Sequence, residues 1–135
     1  MDPALLFIKL LFGHVFGDYF LQSNVMAENK NKKGLKGAVW CTIHCLIYTA
    51  SVCLFLWTIN IWVALIVFIT HWPIDRWSLA QKWMDLVKSR NIMRKFQSKN
   101  PYRDIQLVFS CIVYIAVDNF SHLILMFYSL QLFIY

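Results

Sequence analysis

The chain carries four apolar blocks, each long enough to cross the hydrocarbon core of a membrane as a helix. A spanning helix needs about 20 predominantly apolar residues. The blocks run from Pro3 to Leu21, Ala38 to Trp57, Ile61 to Leu79 and Ile105 to Tyr135. With 59% hydrophobic and 15% charged residues, the chain is more apolar than a typical soluble domain. The sequence therefore predicts an all-α, polytopic membrane protein, a bundle of four transmembrane helices in a single domain over residues 1–135.

The positions of the basic residues predict how the bundle is oriented. Of the 13 Lys and Arg residues, all but Lys9 and Arg76 lie in two segments, residues 22–37 and 80–104. The positive-inside rule places both segments in the cytoplasm and both chain termini on the outer side. In the second segment apolar residues recur at helical spacing among the basic ones, which predicts an amphipathic interfacial helix between the third and fourth spans. The net charge of +6 indicates attraction to the anionic headgroups of membrane lipids rather than to nucleic acid.

Each apolar block contains one histidine, and three of the four histidines have an aspartate four residues away. Residues four apart lie on the same face of a helix. The order is HxxxD in the two helices predicted to run inward and DxxxH in the last, which runs outward, so every aspartate lies on the cytoplasmic side of its histidine. Counted from the outer helix ends, all four histidines lie at a depth of about 17 to 20 Å. The pairs are His14 with Asp18, His71 with Asp75, and His122 with Asp118.

These ionisable residues favour a metal site. Each costs a few kcal/mol within a spanning helix, whereas a polar contact between helices returns only about 1 kcal/mol. Imidazole and carboxylate are ligands for divalent ions, with Zn²⁺ favoured and Mn²⁺ or Fe²⁺ compatible. Seven ligands exceed one tetrahedral site, which leaves either two ions bridged by carboxylates or one ion with aspartates orienting its histidines. The candidate ligands are His14, Asp18, His44, His71, Asp75, Asp118 and His122.

Further polar residues extend the same helix faces or follow them. In a catalytic site the aspartates Asp18, Asp75 and Asp118 would act as bridging ligands or as the general base, because the base must reach the attacking water. Candidate substrate-binding residues are Gln22, Tyr48, Arg76 and Tyr114. The four cysteines all fall within predicted spans and are interpreted as small hydrophobic residues.

The motifs together resemble those of a known family. They are HVFGDYFLQ at residues 14–22, MAENK after it, THWPIDR in the third block and DNFSH in the fourth. This combination resembles a family of small bacterial and phage membrane proteins that form a domain of unknown function. More distantly, it is similar to inner-membrane proteins described as metal-dependent hydrolases. The resemblance implies a multi-pass protein of a bacterial-type inner membrane and supports the same seven ligands, but it provides no substrate.

Three functions remain open at this level. The leading expectation is an integral membrane metal-dependent hydrolase acting on a lipid-like substrate near the cytoplasmic leaflet. A metal-ion or proton transporter or channel is the alternative, because buried imidazoles and carboxylates also form such pathways. A non-catalytic bacterial or phage membrane protein with structural His–Asp contacts is the third. Four helices barely enclose a site, so association into a homo-oligomer is a further expectation.

Overall fold

The fold is a helical bundle, seen in a computed structural model that describes residues 1–87, 92–97 and 99–134. This part of the chain contains no strand, in agreement with the predicted all-α class. The helices are α1 (Pro3–Val15), α2 (Asn24–Asn29), α3 (Leu35–Leu56), α4 (Ile61–Arg76), α5 (Leu79–Val87), α6 (Ile92–Phe96) and α7 (Arg103–Ile134). Helices α1, α3, α4 and α7 pack on one another and hold the site.

Local sequence signals explain where the long helices begin and end. The Asp2 carboxylate accepts a hydrogen bond of 2.7 Å from the backbone N–H of Ala4 and so caps α1. The Asn60 side chain caps α4 in the same way, by accepting from the N–H of Trp62 at 2.9 Å. Helix α3 ends where Trp57 adopts a left-handed backbone conformation, with φ of 56°. The uncharged turn between Trp57 and Asn60 then reverses the chain.

Three helices are long and apolar enough to cross a membrane. They are Pro3–Phe20, Leu35–Leu56 and Arg103–Phe133. Helix α4 has 16 residues, about 24 Å at the helical rise, which is shorter than a hydrocarbon core of about 30 Å. The length and composition of these three helices fit a membrane protein, whereas a membrane span by α4 stays a prediction.

The outer surface of the bundle is apolar, as lipid contact requires. Phe12, Leu46 and Ile69 expose 59%, 57% and 62% of their surface on three different helices. The interior is divided by polarity: the N-terminal halves of α1 and α4 pack with the C-terminal halves of α3 and α7 in an apolar cluster, which we call the outer core. Its buried members are Leu6, Leu10, Tyr48, Val52, Leu56, Val63, Val67, Leu123, Met126 and Leu130.

Two glycines allow α1 and α3 to approach closely. A Cβ atom at Gly13 would lie 2.9 Å from the Cα of Val52, and one at Gly17 would lie 2.8 Å from a ring atom of Tyr48. Both distances are too short for a real side chain. Small residues four apart let two membrane helices come together in this way. The hydroxyl of Ser51 also donates to the carbonyl of Gly13 at 2.9 Å, which fixes the two helices in register.

The first predicted helix differs from the observed one in a way that concerns the site. Instead of one α-helix over residues 3–21, α1 ends at Val15 and a π-helical turn follows over Phe16–Phe20. The N–H of Leu21 donates to the carbonyl of Phe16, five residues back. Such turns contain one more residue than an α-turn and often occur at functional sites. This one contains Asp18.

The second basic segment contains two helices among its described residues, α5 and α6. Residues 88–91 and 98 of the predicted interfacial helix lie outside the described residues, so that helix stays a prediction. Ala80 and Met84 are buried on one side of α5, whereas Leu86 is 84% exposed. The membrane-surface location of α5 therefore stays a prediction. Residue 135, the end of the fourth predicted span, also lies outside the described part of the chain.

Candidate metal centre

The three His–Asp pairs predicted from i,i+4 spacing are in contact. Each pair lies on one helix or its π extension, so the contacts follow directly from helix geometry. The shortest nitrogen-to-oxygen distances are 3.3 Å for His14–Asp18, 3.2 Å for His71–Asp75 and 3.8 Å for His122–Asp118. The ring of His71 lies next to that of His122, with centroids 4.0 Å apart, and 5.3 Å from that of His44.

Four atoms from three segments, the π turn, α3 and α4, converge at one place, which we call the first ion position. His44 Nε2 lies 3.1 Å from Asp18 Oδ1, 3.0 Å from Asp75 Oδ2 and 3.2 Å from His71 Nε2. His71 Nε2 lies 3.7 Å from Asp18 Oδ1 and 3.2 Å from Asp75 Oδ2. Ligands about 2.0 to 2.1 Å from a tetrahedral Zn²⁺ lie about 3.3 Å from one another. These five of the six distances bracket this value, and Asp18, His44 and His71 form a group whose ligand atoms all lie within 4.8 Å of one another.

A second group of ligand atoms lies beside the first and shares one residue with it. Asp75 Oδ1, the other oxygen of that carboxylate, lies 3.5 Å from His122 Nε2. Asp75, Asp118 and His122 each offer one atom within 4.8 Å of the others. We call this group the second ion position. Asp75 thus directs one oxygen to each position, as a carboxylate that bridges two ions must.

Several polar atoms at these positions are buried without hydrogen bonds. Among the described residues, Asp18 Oδ1, His71 Nδ1 and both ring nitrogens of His122 have no hydrogen-bond partner. An unsatisfied buried polar atom costs about 1 to 3 kcal/mol, and native structures contain few of them. Coordination of an ion would satisfy Asp18 Oδ1 and His122 Nε2, the two atoms among these that face an ion position.

One cation of the protein already reaches the first ion position. The ammonium of Lys30, at the end of α2, donates to Asp75 Oδ2 at 2.7 Å, and its side chain is only 18% exposed. Burial by itself would lower the pKa of Lys30, but the charges of Asp75 and Asp18 outweigh burial and raise it. Lys30 is therefore held in its charged form, next to the carboxylate that both ion positions share.

The structure places His14 at the edge of the centre. Its Nε2 donates to the amide oxygen of Asn119 at 2.6 Å, and its Nδ1 lies 2.9 Å from the hydroxyl of Tyr48. Both ring nitrogens thus have protein partners, and the groups close enough to hold an ion do not include His14. Its role as a ligand stays a prediction, whereas the structure shows it orienting Tyr48, whose ring stacks on His71 at 3.7 Å.

A cavity of about 300 Å³ leads from the surface to the carboxylates, and we call it the polar pocket. It contains two of the four predicted substrate-binding residues, Gln22 and Tyr114, together with all three site aspartates. Tyr48 does not line this cavity, since it is buried beneath the histidines. Arg76 lies outside it and donates to the backbone carbonyls of Lys32 and Gly34.

Three site residues were missed by sequence reasoning. Lys30 was counted with the other basic residues of its segment, and its place at the end of the MAENK motif was the available signal. Asn119 follows Asp118 directly in DNFSH, and that adjacent polar residue was the available signal. Cys45 follows His44, and it groups with His71 and Asp75 as a third set of atoms within 4.8 Å. Cys45 is thus a further candidate ligand, and its interpretation as a small hydrophobic residue stays a prediction.

The comparisons with known proteins agree with the motif resemblance. One family model, described as a protein of unknown function and designated DUF3307, matches residues 6–134. The chain belongs to this family. No curated protein and no solved structure matches the chain significantly. Membership of DUF3307 confirms the resemblance to a family of unknown function, and it lends no support to the more distant similarity to metal-dependent hydrolases.

Proposed function

We propose that this DUF3307 protein is an integral membrane metal-dependent hydrolase acting on a lipid-like substrate near the cytoplasmic leaflet. In this proposal α4 is the fourth span, the basic segments face the cytoplasm, and α5 lies at the surface of a bacterial-type inner membrane. The histidines and aspartates hold one or two divalent ions, with Zn²⁺ favoured by the nitrogen and oxygen ligands.

The observation that carries the proposal is the geometry of Asp75. Its two oxygens face two neighbouring groups of ligand atoms: Oδ2 lies 3.0 Å from His44 Nε2 and 3.2 Å from His71 Nε2, and Oδ1 lies 3.5 Å from His122 Nε2. Pairs of ions about 3.5 to 4 Å apart occur in hydrolases, where they activate water and stabilise the leaving group. A bridging carboxylate between two such positions supports hydrolysis more directly than a single structural ion would.

The surroundings supply the other requirements of a hydrolase. An ion at the second position would lower the pKa of a bound water towards about 7. Asp118 lines the polar pocket and belongs to that position, so its carboxylate is placed to accept a proton from such a water. Gln22 and Tyr114 line the same pocket and offer hydrogen bonds to an oxyanion that develops there.

Access from one side favours an enzyme over an ion or proton pathway. The polar pocket reaches the aspartates from the end of the bundle where α2 lies. The outer core fills the other end with ten buried, largely apolar residues. Thr49 and Ser51 are buried beside it, and the hydroxyl of Ser51 donates to the carbonyl of Gly13. A pathway needs polar groups or water along its whole length, since an unpaired polar or charged group in an apolar region costs several kcal/mol.

The test is metal content together with hydrolysis. Protein purified in detergent without chelators is equilibrated with Zn²⁺, and its metal is counted by inductively coupled plasma mass spectrometry. We expect two ions per chain in the wild type and fewer than 0.2 in a His71→Ala, Asp75→Ala double variant, because that variant removes ligands of both positions. Hydrolysis of a panel of phospholipids is then measured with the same samples.

The control is Asp85→Asn, which removes an exposed carboxylate of α5 that accepts a hydrogen bond from Gln81 at 2.7 Å, away from both ion positions. It should keep both the metal and the activity. A wild type that elutes as a folded, monodisperse protein and stays free of metal after supplementation would contradict the metal centre. Two bound ions with no hydrolysis of any ester, amide or phosphoester lipid would retain the centre and refute the hydrolase.

A further inference from the structure

The polar pocket has an apolar neighbour. A groove of about 870 Å³ runs between α4, α5 and α7, and its lining includes Trp83, Ala116 and Phe120. Ile74 lines both the groove and the polar pocket. On α7 the two linings alternate, with Ile115 facing the pocket and Ala116 facing the groove. The two cavities therefore meet at one side chain, next to Asp75.

The charges in the polar pocket depend on the ions. Three aspartates, Asp18, Asp75 and Asp118, and one lysine, Lys30, line it, which leaves a net charge of about −2 with neutral histidines. One divalent ion would make the pocket neutral, and two would give it a charge of about +2. A phosphate monoester carries a charge of about −1.5 to −2 at pH 7, so it complements the pocket that holds two ions.

Lys30 is the group whose role changes between these states. Its ammonium lies 2.7 Å from Asp75 Oδ2, the same oxygen that lies 3.0 Å from His44 Nε2 and 3.2 Å from His71 Nε2. An ion at the first position would take this oxygen as a ligand and repel the ammonium. Lys30 lines the polar pocket with Asn31 and Gln22, so the displaced ammonium stays beside the ions and faces the cavity.

We propose that the polar pocket binds the phosphate group of an anionic lipid through Lys30, while an acyl chain of the same molecule occupies the apolar groove. This assignment rests on the proposed metal centre, and it specifies the substrate as a lipid phosphate. Before an ion binds, the ammonium of Lys30 pairs with the carboxylate of Asp75. After an ion binds, the same ammonium pairs with the phosphate of the substrate.

Because Ile74 lines both cavities, a single amphiphilic molecule is the simplest ligand that would occupy both. Ile74 is the side chain that separates a phosphate seated beside Lys30 from the groove, so a chain attached to that phosphate would enter the groove past Ile74. The groove is lined by apolar side chains apart from Ser121, and burial of apolar surface gives about 25 cal/mol per Å². Soluble phosphate would use the pocket alone, so the groove distinguishes the two sources of the same group.

Binding is measured without hydrolysis, on protein in phosphatidylcholine nanodiscs with saturating Zn²⁺. The probe is a radiolabelled phosphonate analogue of phosphatidic acid with two octyl ether chains, because a hydrolase cleaves neither its P–C bond nor its ether bonds. Methylphosphonate, which has the same head and no chain, is the competitor. Zinc affinity is measured on the same samples by competition with a chelator.

We expect Lys30→Met to change the two affinities in opposite directions. The lipid analogue should bind about tenfold more weakly, because a hydrogen-bonded charge is lost. Zinc should bind several-fold more tightly, because no ammonium competes for Asp75. Lys30→Arg should restore lipid binding to within about threefold. Lys33→Met removes an exposed lysine of the same segment and should change neither affinity.

The groove has its own variant. Ala116→Trp fills the groove. It should weaken binding of the lipid analogue by at least about tenfold and leave the affinity for methylphosphonate unchanged. If methylphosphonate binds as tightly as the lipid analogue and Ala116→Trp affects neither, the ligand is a soluble phosphate and the lipid assignment is wrong. If Lys30→Met binds zinc and the lipid analogue as the wild type does, the role of Lys30 is refuted while the metal centre stands. A wild type without zinc refutes the metal centre itself.

Discussion

Asp75 is the residue whose substitution separates a bridged pair of ions from two independent sites. Asparagine has nearly the same size, but it carries no charge and offers one oxygen in place of two. In the structure Oδ2 of Asp75 serves the first ion position and Oδ1 the second. Asp75→Asn should therefore remove both ions, whereas Asp118→Asn should remove only the second, because Asp118 belongs to that position alone.

The expected magnitude follows from the role of Asp75 as a direct ligand. Loss of a residue that merely orients a ligand costs about 10- to 100-fold in metal affinity. Removing one charged ligand of the four at the first position should exceed that range, so we expect a loss of more than about 100-fold, which is about 2.7 kcal/mol. At a free zinc concentration ten times the wild-type Kd, occupancy would fall from about 90% to below about 10%.

The assay counts zinc per chain at several chelator-buffered concentrations, for wild type, Asp75→Asn, Asp118→Asn and the exposed-carboxylate control Asp85→Asn. Far-UV circular dichroism and elution volume show whether each variant is folded, which matters because Asp75→Asn also leaves Lys30 without its ionic partner. Asp75→Glu keeps the charge and serves as a second variant at the position. Retention of one ion by folded Asp75→Asn would refute the bridge, and retention of two would refute Asp75 as a ligand.

Three further predictions concern the framework of the site. Gly13→Ala should lower stability by about 1 to 3 kcal/mol, because its Cβ meets the backbone of Val52 at 2.9 Å and α1 must move; thermal unfolding measures the loss. Asn119→Ala should lower it by about 1 to 3 kcal/mol by leaving the buried Nε2–H of His14 unsatisfied, and unchanged thermal unfolding would exclude this bond. Asn60→Ala should lower the free energy of unfolding by about 1 kcal/mol, because the cap of α4 is lost. The number of zinc ions per chain should stay the same. A loss of zinc would show that the outer end of the bundle is coupled to the site.

Much of the candidate site could be predicted because it is local. A helix fixes residues i and i+4 on one face, so His71 and Asp75 had to be neighbours once the apolar block was recognised as a helix. Length and composition in the same way specified the helices of Leu35–Leu56 and Arg103–Phe133 within two or three residues. The C-terminal end of the third block was less accurate, since α4 ends at Arg76 in place of the predicted Leu79. The backbone around Ser78, with φ of 48°, depends on neighbouring segments.

The contacts between helices could not be predicted from the sequence pattern. His44 has no aspartate of its own, and it lies against Asp18 and Asp75, which belong to other segments. Lys30 is 45 residues from Asp75 in the chain, and Asn119 is 105 residues from His14. No spacing rule relates such distant positions, because their approach depends on the rotation of each helix.

The sequence by itself determined the apolar helices, the single histidine in each and the three His–Asp pairs, because these follow from hydropathy and from the fixed pitch of a helix. The tertiary structure decided which of these atoms meet. Close approach at Gly13 and Gly17 brings α1 against α3, and the π turn that follows α1 carries Asp18 at that contact. Two groups of ligand atoms that share Asp75 result from this packing, because the approaches of His44 to Asp18 and to Asp75, at 3.1 and 3.0 Å, join different segments.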